Sequence, residues 1–146
     1  MQQKNKHIFV FGIFAVDLSF YVDKKVKPGE TIIAKSSNIG PGGKASNQAI
    51  SARKLGASTT LITRLGNDNF NSYAHDIWRR EKLFASTTID KNLPTGMAGI
   101  FIDDKTGENS VIVDPGAATH MSINDFYLQK SKMKKGDIFL TQFEQS

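Results

Sequence analysis

The residues with the clearest chemical potential lie in the segment Gly40–Ala49, which reads GPGGKASNQA. Its glycines and proline end an extended polar stretch, and small residues then start a helix at once. Such a start exposes backbone amides and the positive end of the helix dipole to a ligand. Lys44 and Asn47, three positions apart, share a face of that helix one turn inside its start. The segment therefore predicts a donor-rich pocket for a polyhydroxylated or phosphorylated small molecule.

Two known phosphate-binding motifs can be compared with this segment. A P-loop requires a glycine five positions before the Gly-Lys pair and a serine or threonine after it, but Asn38 and Ala45 occupy those positions. The dinucleotide fingerprint G-x-G-x-x-A fits Gly40, Gly42 and Ala45, and acidic Asp68 follows roughly 20 residues later. That fingerprint should directly follow a buried parallel strand, whereas the stretch before Gly40 alternates and turns polar. A dinucleotide-binding oxidoreductase domain stays as an alternative enzyme class.

Composition and charge limit the class of protein. The chain has 146 residues, of which 39% are hydrophobic and 23% are charged, values typical of one globular domain. No apolar run approaches the ~20 residues that a membrane-spanning helix requires, and the first residues lack the apolar core of a signal peptide. The chain contains no cysteine, which is compatible with the cytoplasm, the location that we expect.

The net charge of +5 raises the question of nucleic-acid binding. Lysines cluster at 24–27 and 130–135, but neither cluster is interleaved with aromatic residues that could stack on bases. Solvated loops explain both clusters better, so we expect a small-molecule ligand and neither a nucleic-acid nor a membrane partner. The three histidines do not have the spacing of a metal site, so no metal ligand is predicted.

Alternating strands and helices must position the glycine-rich segment. The predicted core strands, which are apolar or β-branched, are 7–13, 59–65, 85–89 and 137–141. Helices are predicted at 43–55, where Gly56 follows in a left-handed cap, and at about 70–82. A third helix is predicted to start at Ser122, which resembles a capping box with Asp125. This alternation predicts an α/β fold with a parallel sheet and right-handed connections.

Two further pairs of strands have one apolar and one polar face and do not belong to that sheet. The predicted strands of the two pairs are 15–22 with 31–38 and 98–103 with 110–114. We expect them to be hairpins of a small second β layer that occupies segments of about 15–38 and 97–114. A crevice between such a layer and the carboxyl ends of the parallel strands is where α/β folds bind ligands.

Several motifs resemble those of the ribokinase-like (PfkB-type) carbohydrate kinases. In chain order, the motifs are Gly12–Asp17, Pro28–Thr31, Gly40–Ala49, Leu65–Asp68, Thr95–Ala98, Gly116–Ala117 and Gln142–Glu144. The resemblance covers essentially the whole chain, and Gly-Gly-Lys-x-x-Asn-Gln-Ala is its most specific part. It implies the layered ribokinase-like fold, in which residues 1–146 form the N-terminal part of one domain and the two hairpins form a lid. The implied activity is ATP-dependent phosphorylation of a sugar hydroxymethyl group.

The resemblance also implies which residues bind the sugar. These are Asp17, Gly42, Gly43, Lys44, Asn47, Ala98, Ile100 and Glu144. Asp17 would accept hydrogen bonds from sugar hydroxyls, and Glu144 would contact the sugar from the opposite wall. Ala98 and Ile100 would line the inner side of the lid. The family typically has an asparagine where this chain has Ala15. The expected substrates therefore include another pentose, a hexose or a nucleoside besides ribose.

The elements that carry catalysis in the family do not occur in these 146 residues. In the family, a Gly-Ala-Gly-Asp element supplies the anion hole and the catalytic base, and an Asn-x-x-Glu element helps to place magnesium. The nucleotide pocket belongs to the same half of the enzyme. We therefore expect no catalytic residue in this chain, sites for ATP and Mg²⁺ mostly outside it, and no activity of the truncated chain alone.

The expected partners follow from the same resemblance. The chain would bind a small-molecule sugar, and either the C-terminal half of the kinase or a second copy through the lid. Truncation after strand 137–141 would leave an unpaired sheet edge and an uncovered apolar face, so we expect an oligomeric or marginally soluble chain. A non-catalytic sugar-binding or regulatory remnant that acts through its lid is the alternative to an enzyme.

Overall fold

The computed structural model describes residues 6–134 and 137–144 of the chain. Within these ranges the chain forms two four-stranded sheets with three α-helices and a short 3₁₀ turn at Gly116–His120. The strands are β1 (His7–Phe11), β2 (Ala15–Val22), β3 (Ser36–Gly42), β4 (Ser58–Gly66), β5 (Phe84–Asp90), β6 (Met97–Asp103), β7 (Asn109–Asp114) and β8 (Ile138–Thr141). The helices are α1 (Lys44–Lys54), α2 (Asn69–Arg80) and α3 (Ile123–Lys130). The predicted α/β class is confirmed.

The first sheet is parallel throughout and has the strand order β5-β4-β1-β8. Its main core lies between the sheet and helices α1 and α2, where Leu61 and Leu65 of β4 pack with Ala49 and Trp78. Arg64 alternates with Leu65 on β4 and contacts α3, so α3 covers the other face of the sheet. Helices on both faces of a parallel sheet are the architecture that the alternating sequence pattern predicts.

The second sheet has the strand order β3-β2-β6-β7. β2 pairs antiparallel with β3, and β6 pairs antiparallel with β7, while β2 and β6 run parallel in the centre. Both expected antiparallel pairs are therefore present. The predicted strand at 31–38 is wrong, because β3 is Ser36–Gly42 and places Gly42 opposite Ala15. The glycine-rich segment therefore begins within an edge strand, which ends at Gly42. Pro41 is tolerated in this strand because it does not interrupt a central ladder.

The ends of the first sheet differ from the prediction in two places. β1 ends at Phe11 instead of residue 13, because residues 12–14 form the crossing from the first sheet to the second. The predicted burial of strand 137–141 is wrong, since Ile138 and Phe139 are 46% and 49% exposed. β8 is at the edge of the sheet in the described part of the chain, so one of its sides has no neighbouring strand there.

The helix boundaries and caps follow the sequence closely. Gly56 follows α1 with a φ of 90°, and its backbone N–H donates to Arg53, as expected of a left-handed cap. Ser122 and Asp125 form a reciprocal capping box at the start of α3, which confirms that prediction. Within the described ranges, no helix has the length and apolar character needed to cross a membrane.

Gly43 joins the two sheets at the start of α1. Its φ is 83°, and a Cβ atom at this position would lie 2.3 Å from the carbonyl oxygen of Ile13. The crossing that follows β1 therefore passes too close for any side chain at this position. Glycine is required here both by the backbone conformation and by the close approach of the two chain segments. The contact brings the ends of β1 and β3 and the start of α1 to one place.

Candidate functional site

A small cavity lies where the carboxyl end of the parallel sheet meets the second sheet. Its volume is about 230 Å³. Seven of the eight predicted site residues line it: Asp17, Gly43, Lys44, Asn47, Ala98, Ile100 and Glu144. The other lining residues are Ile13, Ala15, Val111, Val113 and Pro115. Side chains separated by more than 100 residues in sequence thus converge on a single concave surface.

Gly42, the eighth predicted residue, lies beside the cavity and makes room for Asp17. A Cβ atom at position 42 would lie 2.0 Å from the Asp17 carboxylate oxygen Oδ1. Any larger residue would displace the carboxylate from its position. The second glycine of the Gly-Gly pair therefore allows the crossing at Ile13, and the first allows the orientation of Asp17.

Asp17 is a half-buried carboxylate without a protein partner. Burial raises its pKa above the usual aspartate value. In the part of the chain that the structure describes, its carboxylate takes part in no hydrogen bond or ion pair. Since buried polar groups are normally hydrogen-bonded, such a carboxylate can accept hydrogen bonds from a ligand.

The start of α1 supplies the donors of the site. No side chain caps the helix at Gly43, and its first turn contains no acidic residue. Lys44 and Asn47 both reach the cavity from this turn. A cation at a helix N-terminus is disfavoured by the helix dipole, but Lys44 forms an ion pair with Glu144, which follows β8. This pair links the helix start to the end of the parallel sheet.

Sequence reasoning missed the contribution of β7 and the residues around it. Val111 and Val113 line the cavity because β7 pairs with β6 in a register that puts Val113 opposite Ala98 and Val111 opposite Ile100. Directly opposite residues in an antiparallel pair lie on the same face of a sheet. The alternation of β7 could have indicated this face, but the register could not be derived from the sequence.

A second polar cluster lies between β4, β5 and α3. The Arg64 guanidinium donates from Nη2 to both oxygens of Asp125, at 3.0 and 3.2 Å, and from Nη1 to Asp90 at 3.3 Å. Asp90 also accepts from the backbone N–H groups of Asn92 and Leu93 and lies 2.7 Å from Nδ1 of His120. This cluster joins the two chain segments that enter and leave the β6–β7 hairpin.

The pKa values of the two carboxylates in this cluster follow from their partners. The backbone N–H of Asn92 and the imidazole of His120 lower the pKa of Asp90 to about 2. Burial opposes ionisation of Asp125, but hydrogen bonds from Thr88, Ser122 and Arg64 outweigh burial and lower its pKa. Both groups are therefore held as carboxylates, with their acceptor sites already used by the protein.

The structure argues against the dinucleotide-binding alternative. Asp68, which would bind the cofactor ribose, accepts instead from the backbone N–H of Asn71 at the start of α2 and from Thr95. Gly40 and Gly42 belong to an antiparallel edge strand, whereas the fingerprint follows a parallel core strand. The match of residue types is a coincidence of spacing, because a helix cap also selects for an aspartate at position 68.

A larger cavity of about 500 Å³ lies at the amino-terminal ends of the parallel strands, away from the first cavity. Lys6, Arg53 and Lys82 line it. Arg53 donates to the backbone carbonyls of Lys82 and Ala57, next to the C-terminal ends of α1 and α2. Basic side chains at helix C-termini satisfy free carbonyls and complement the dipole, which explains the position of Arg53 without a ligand.

The comparisons with known proteins agree on one family. A family model described as "pfkB family carbohydrate kinase" matches residues 5–142. Ribokinase of Dictyostelium discoideum is 33% identical over 141 residues, which are 96% of this chain and 44% of that relative. Deoxyribokinase of Salmonella typhi is 33% identical over 140 residues, which are 94% of this chain and 45% of that relative. The chain thus spans less than half the length of these curated relatives.

Solved structures have the same fold. The structure of ribokinase from Giardia lamblia superimposes with a TM-score of 0.88 at 26% identity, over 97% of this chain and 46% of that chain. The Arabidopsis thaliana ribokinase solved in complex with ribose and ATP gives a TM-score of 0.75 at 26% identity, over the same two shares. The two-sheet arrangement described above is therefore that of these kinases.

Proposed function

The chain belongs to the pfkB family of carbohydrate kinases, and we propose that its cavity binds the sugar on which such a kinase acts. In this proposal the chain supplies the sugar-binding part of an ATP-dependent sugar kinase, and the second sheet acts as a lid. The observation that carries the proposal is the convergence of Asp17, Lys44, Asn47 and Glu144 on one small cavity. Clustered donors and acceptors in a concave site are what a polyhydroxylated ligand requires.

The two sides of the cavity offer complementary hydrogen-bonding groups. A sugar hydroxyl both donates and accepts, so it can donate to Asp17 and accept from Lys44 or Asn47. The carboxylate needs no reorganisation to accept, because it has no protein partner to give up. The Lys44–Glu144 pair balances its own charges, so with Asp17 the charged side chains of the cavity are net negative, which suits a neutral sugar better than an anionic ligand. The proposed role of these residues is to bind and orient the substrate.

The phosphoryl donor is proposed from the relatives. One similar structure contains ribose and ATP, and we propose ATP as the donor for the intact kinase. In the described ranges, no group of three or more His, Cys, Asp or Glu side chains could hold a metal ion, so no magnesium ligand is assigned to them. No catalytic base is assigned to these residues either. Relatives named for ribose and for deoxyribose make these two sugars the first candidates for the substrate.

Two apolar surfaces support the proposed partners. Leu128 on α3 is 60% exposed, and Phe139 on the edge strand β8 is 49% exposed, which suits the remaining part of a kinase as a partner. On the second sheet, Ile112 is 69% exposed, and Phe20 stacks on Phe101 across neighbouring strands. A second copy of the chain could cover this sheet. Either partner would stabilise the chain by binding only its folded state.

The test of the proposed site is the sugar affinity of the variant Asp17→Ala, which should be lower than that of the wild type. Loss of a charged acceptor should cost about 1.5–3 kcal/mol, which is tenfold or more in affinity. Asp23→Ala is the matched control, because Asp23 follows the same strand but pairs with Lys35 outside the cavity. Titration calorimetry with ribose and deoxyribose measures the affinities. Equal affinities of the two variants would remove Asp17 from the site and leave the proposal without its main acceptor.

A further inference from the structure

The larger cavity, at the amino-terminal ends of the parallel strands, collects positive charge from three separate elements. Lys6 directly precedes β1, Arg53 lies in the last turn of α1, and Lys82 closely follows α2. The other residues that line this cavity within the described ranges include no Asp or Glu. Three basic side chains thus share one concave surface without an acidic side chain among them.

The charges of Lys6 and Lys82 are not balanced by the protein. Within residues 6–134 and 137–144, neither of these side chains forms an ion pair or a hydrogen bond. The residues outside these ranges contain no Asp or Glu. Lys54, which also lies at the end of α1, differs because it pairs with Glu81. Like charges that share a cavity repel one another, so an anion that binds among them stabilises the folded chain.

Arg53 is held in place by its contacts at the ends of the two helices. Its Nε donates to the backbone carbonyl of Lys82 at 2.9 Å, and its Nη1 donates to that of Ala57 at 3.4 Å. These contacts satisfy carbonyl groups next to the helix C-termini, which lowers the partial negative charge that would oppose an anion there. The Nη2 group makes neither contact, so it is available to a ligand.

The neutral residues of the cavity add a hydroxyl donor and an apolar wall. Ser58 Oγ lies 2.7 Å from Nδ1 of His7, and Nε2 of the same ring lies 2.8 Å from Thr60 Oγ1. In the tautomer with a proton on Nδ1, the ring donates to Ser58 and accepts from Thr60, which leaves the Ser58 proton available to an anion. Phe84 is 56% exposed and lines the cavity beside these polar groups.

We propose that this cavity binds the phosphate group of a small phosphorylated molecule. A phosphate group carries up to two negative charges and several acceptor oxygens, which match the two unpaired lysines and the fixed guanidinium better than a carboxylate does. The volume of about 500 Å³ is within the range of roughly 300–1,000 Å³ for small-molecule sites, so a sugar or a base attached to the phosphate also fits. Phe84 would contact that organic part. This inference does not rest on the proposed sugar-binding function, because the two cavities lie at opposite ends of the parallel strands.

The test is titration calorimetry of the 146-residue chain with inorganic phosphate, ribose 5-phosphate, AMP and a single-stranded oligothymidylate. Ionic strength is held constant, because salt screens exposed charges. The double variant Lys6→Gln/Lys82→Gln removes both unpaired charges and keeps the contacts of Arg53, so phosphate affinity should fall roughly tenfold or more. Lys91→Gln/Lys105→Gln is the matched control. It removes the same net charge from exposed positions outside the cavity and should keep the wild-type affinity.

The proposal is supported if phosphate binding depends on Lys6 and Lys82 and not on the control lysines. The tighter of ribose 5-phosphate and AMP then identifies the organic part of the ligand. Equal losses in the two double variants would show a response to net charge alone and would overturn the proposal. Absence of binding by the folded wild-type chain, or binding that is unchanged in Lys6→Gln/Lys82→Gln, would overturn it as well. An oligothymidylate that binds more tightly than all three small probes, with the same dependence on these lysines, would replace it with a nucleic-acid site.

Discussion

Two groups of aspartates in this chain have opposite environments. Asp17 is half-buried at the cavity with no partner in the described chain, and burial raises its pKa. Asp125 is more deeply buried, but it accepts from Arg64 and from the backbone of Ser122, and its pKa is lowered. Asp90 is similar to Asp125, with its pKa lowered to about 2 by the N–H of Asn92 and by His120. In the described chain, the oxygens of Asp90 and Asp125 therefore accept hydrogen bonds from the protein, whereas those of Asp17 remain free to accept from a ligand.

The difference separates carboxylates that hold the fold from one that can bind a ligand. A buried ion pair with complete hydrogen bonding is close to neutral for stability, but removal of one partner is strongly unfavourable. A half-buried carboxylate without a partner lowers stability while it is ionised, and such groups concentrate at functional sites. Residue type alone does not separate the two groups. The number of donors around each carboxylate does.

The largest expected effect is the loss of Arg64. Arg64→Met keeps much of the side-chain volume but leaves the carboxylates of Asp90 and Asp125 without their common cation. Removal of one partner of a buried pair costs about 3–5 kcal/mol, so the variant should unfold at a much lower denaturant concentration. Chemical denaturation followed by circular dichroism measures the change in the free energy of unfolding.

The matched control is Arg79→Met. Arg79 also pairs with an aspartate, Asp76, but both side chains are mostly exposed on α2. An exposed pair contributes about 0–1 kcal/mol, so this variant should remain close to the wild type. Similar losses in the two variants would contradict the view that the Arg64 cluster holds the fold together.

Much of the fold could be predicted from the sequence because its signals are local. The capping box at Ser122 and the glycine after α1 involve residues within a few positions of each other. Such signals have a limit, since the sequence predicted a strand at 31–38 and the structure has the strand at Ser36–Gly42. Strand pairing is decided by the partner strand, and β2 needs a partner opposite Ala15–Tyr21 that ends at Gly42.

The two groups of aspartates differ in how far the sequence could reveal them. Asp17 lies within a motif that begins just after the first core strand, so its place at the cavity could be predicted. Arg64, Asp90 and Asp125 come from three separate elements, and no spacing in the sequence connects them. Only the tertiary arrangement of β4, β5 and α3 brings them together, so sequence reasoning assigned Asp125 a local cap and missed the cluster.

The second prediction concerns acid unfolding and Asp90. Because the pKa of Asp90 is lowered to about 2 in the folded chain, its contribution is fully present above the unfolded value of about 3.9. That contribution is lost as the pH falls from there towards 2, since the unfolded chain takes up a proton in this range while the carboxylate of the folded chain is still ionised. Asp90→Asn should therefore be less stable than the wild type at pH 6 and should lose less stability between pH 4 and 2.

Asp76→Asn is the control for this measurement, because it changes the net charge equally on an exposed face of α2. Denaturant unfolding at a series of pH values gives, for each variant, the slope of the free energy of unfolding against pH. A slope for Asp90→Asn that equals the wild-type slope would mean that Asp90 is not held by its partners as the structure indicates.

The smallest expected effect has the opposite sign and belongs to Asp17. Its folded pKa is raised, so the folded chain resists loss of this proton and stability falls as the pH rises from about 3.9 through the folded value. Asp17→Asn has no such proton and should be more stable than the wild type at pH 7, by up to about 1 kcal/mol. The gain should disappear at low pH, where the wild-type carboxyl is neutral, while sugar affinity is lost at neutral pH. Asp23→Asn, in an exposed ion pair outside the cavity, controls for net charge. If Asp17→Asn is instead the less stable protein at pH 7, Asp17 contributes to the fold as Asp90 and Asp125 do, and the distinction between the two groups of aspartates fails.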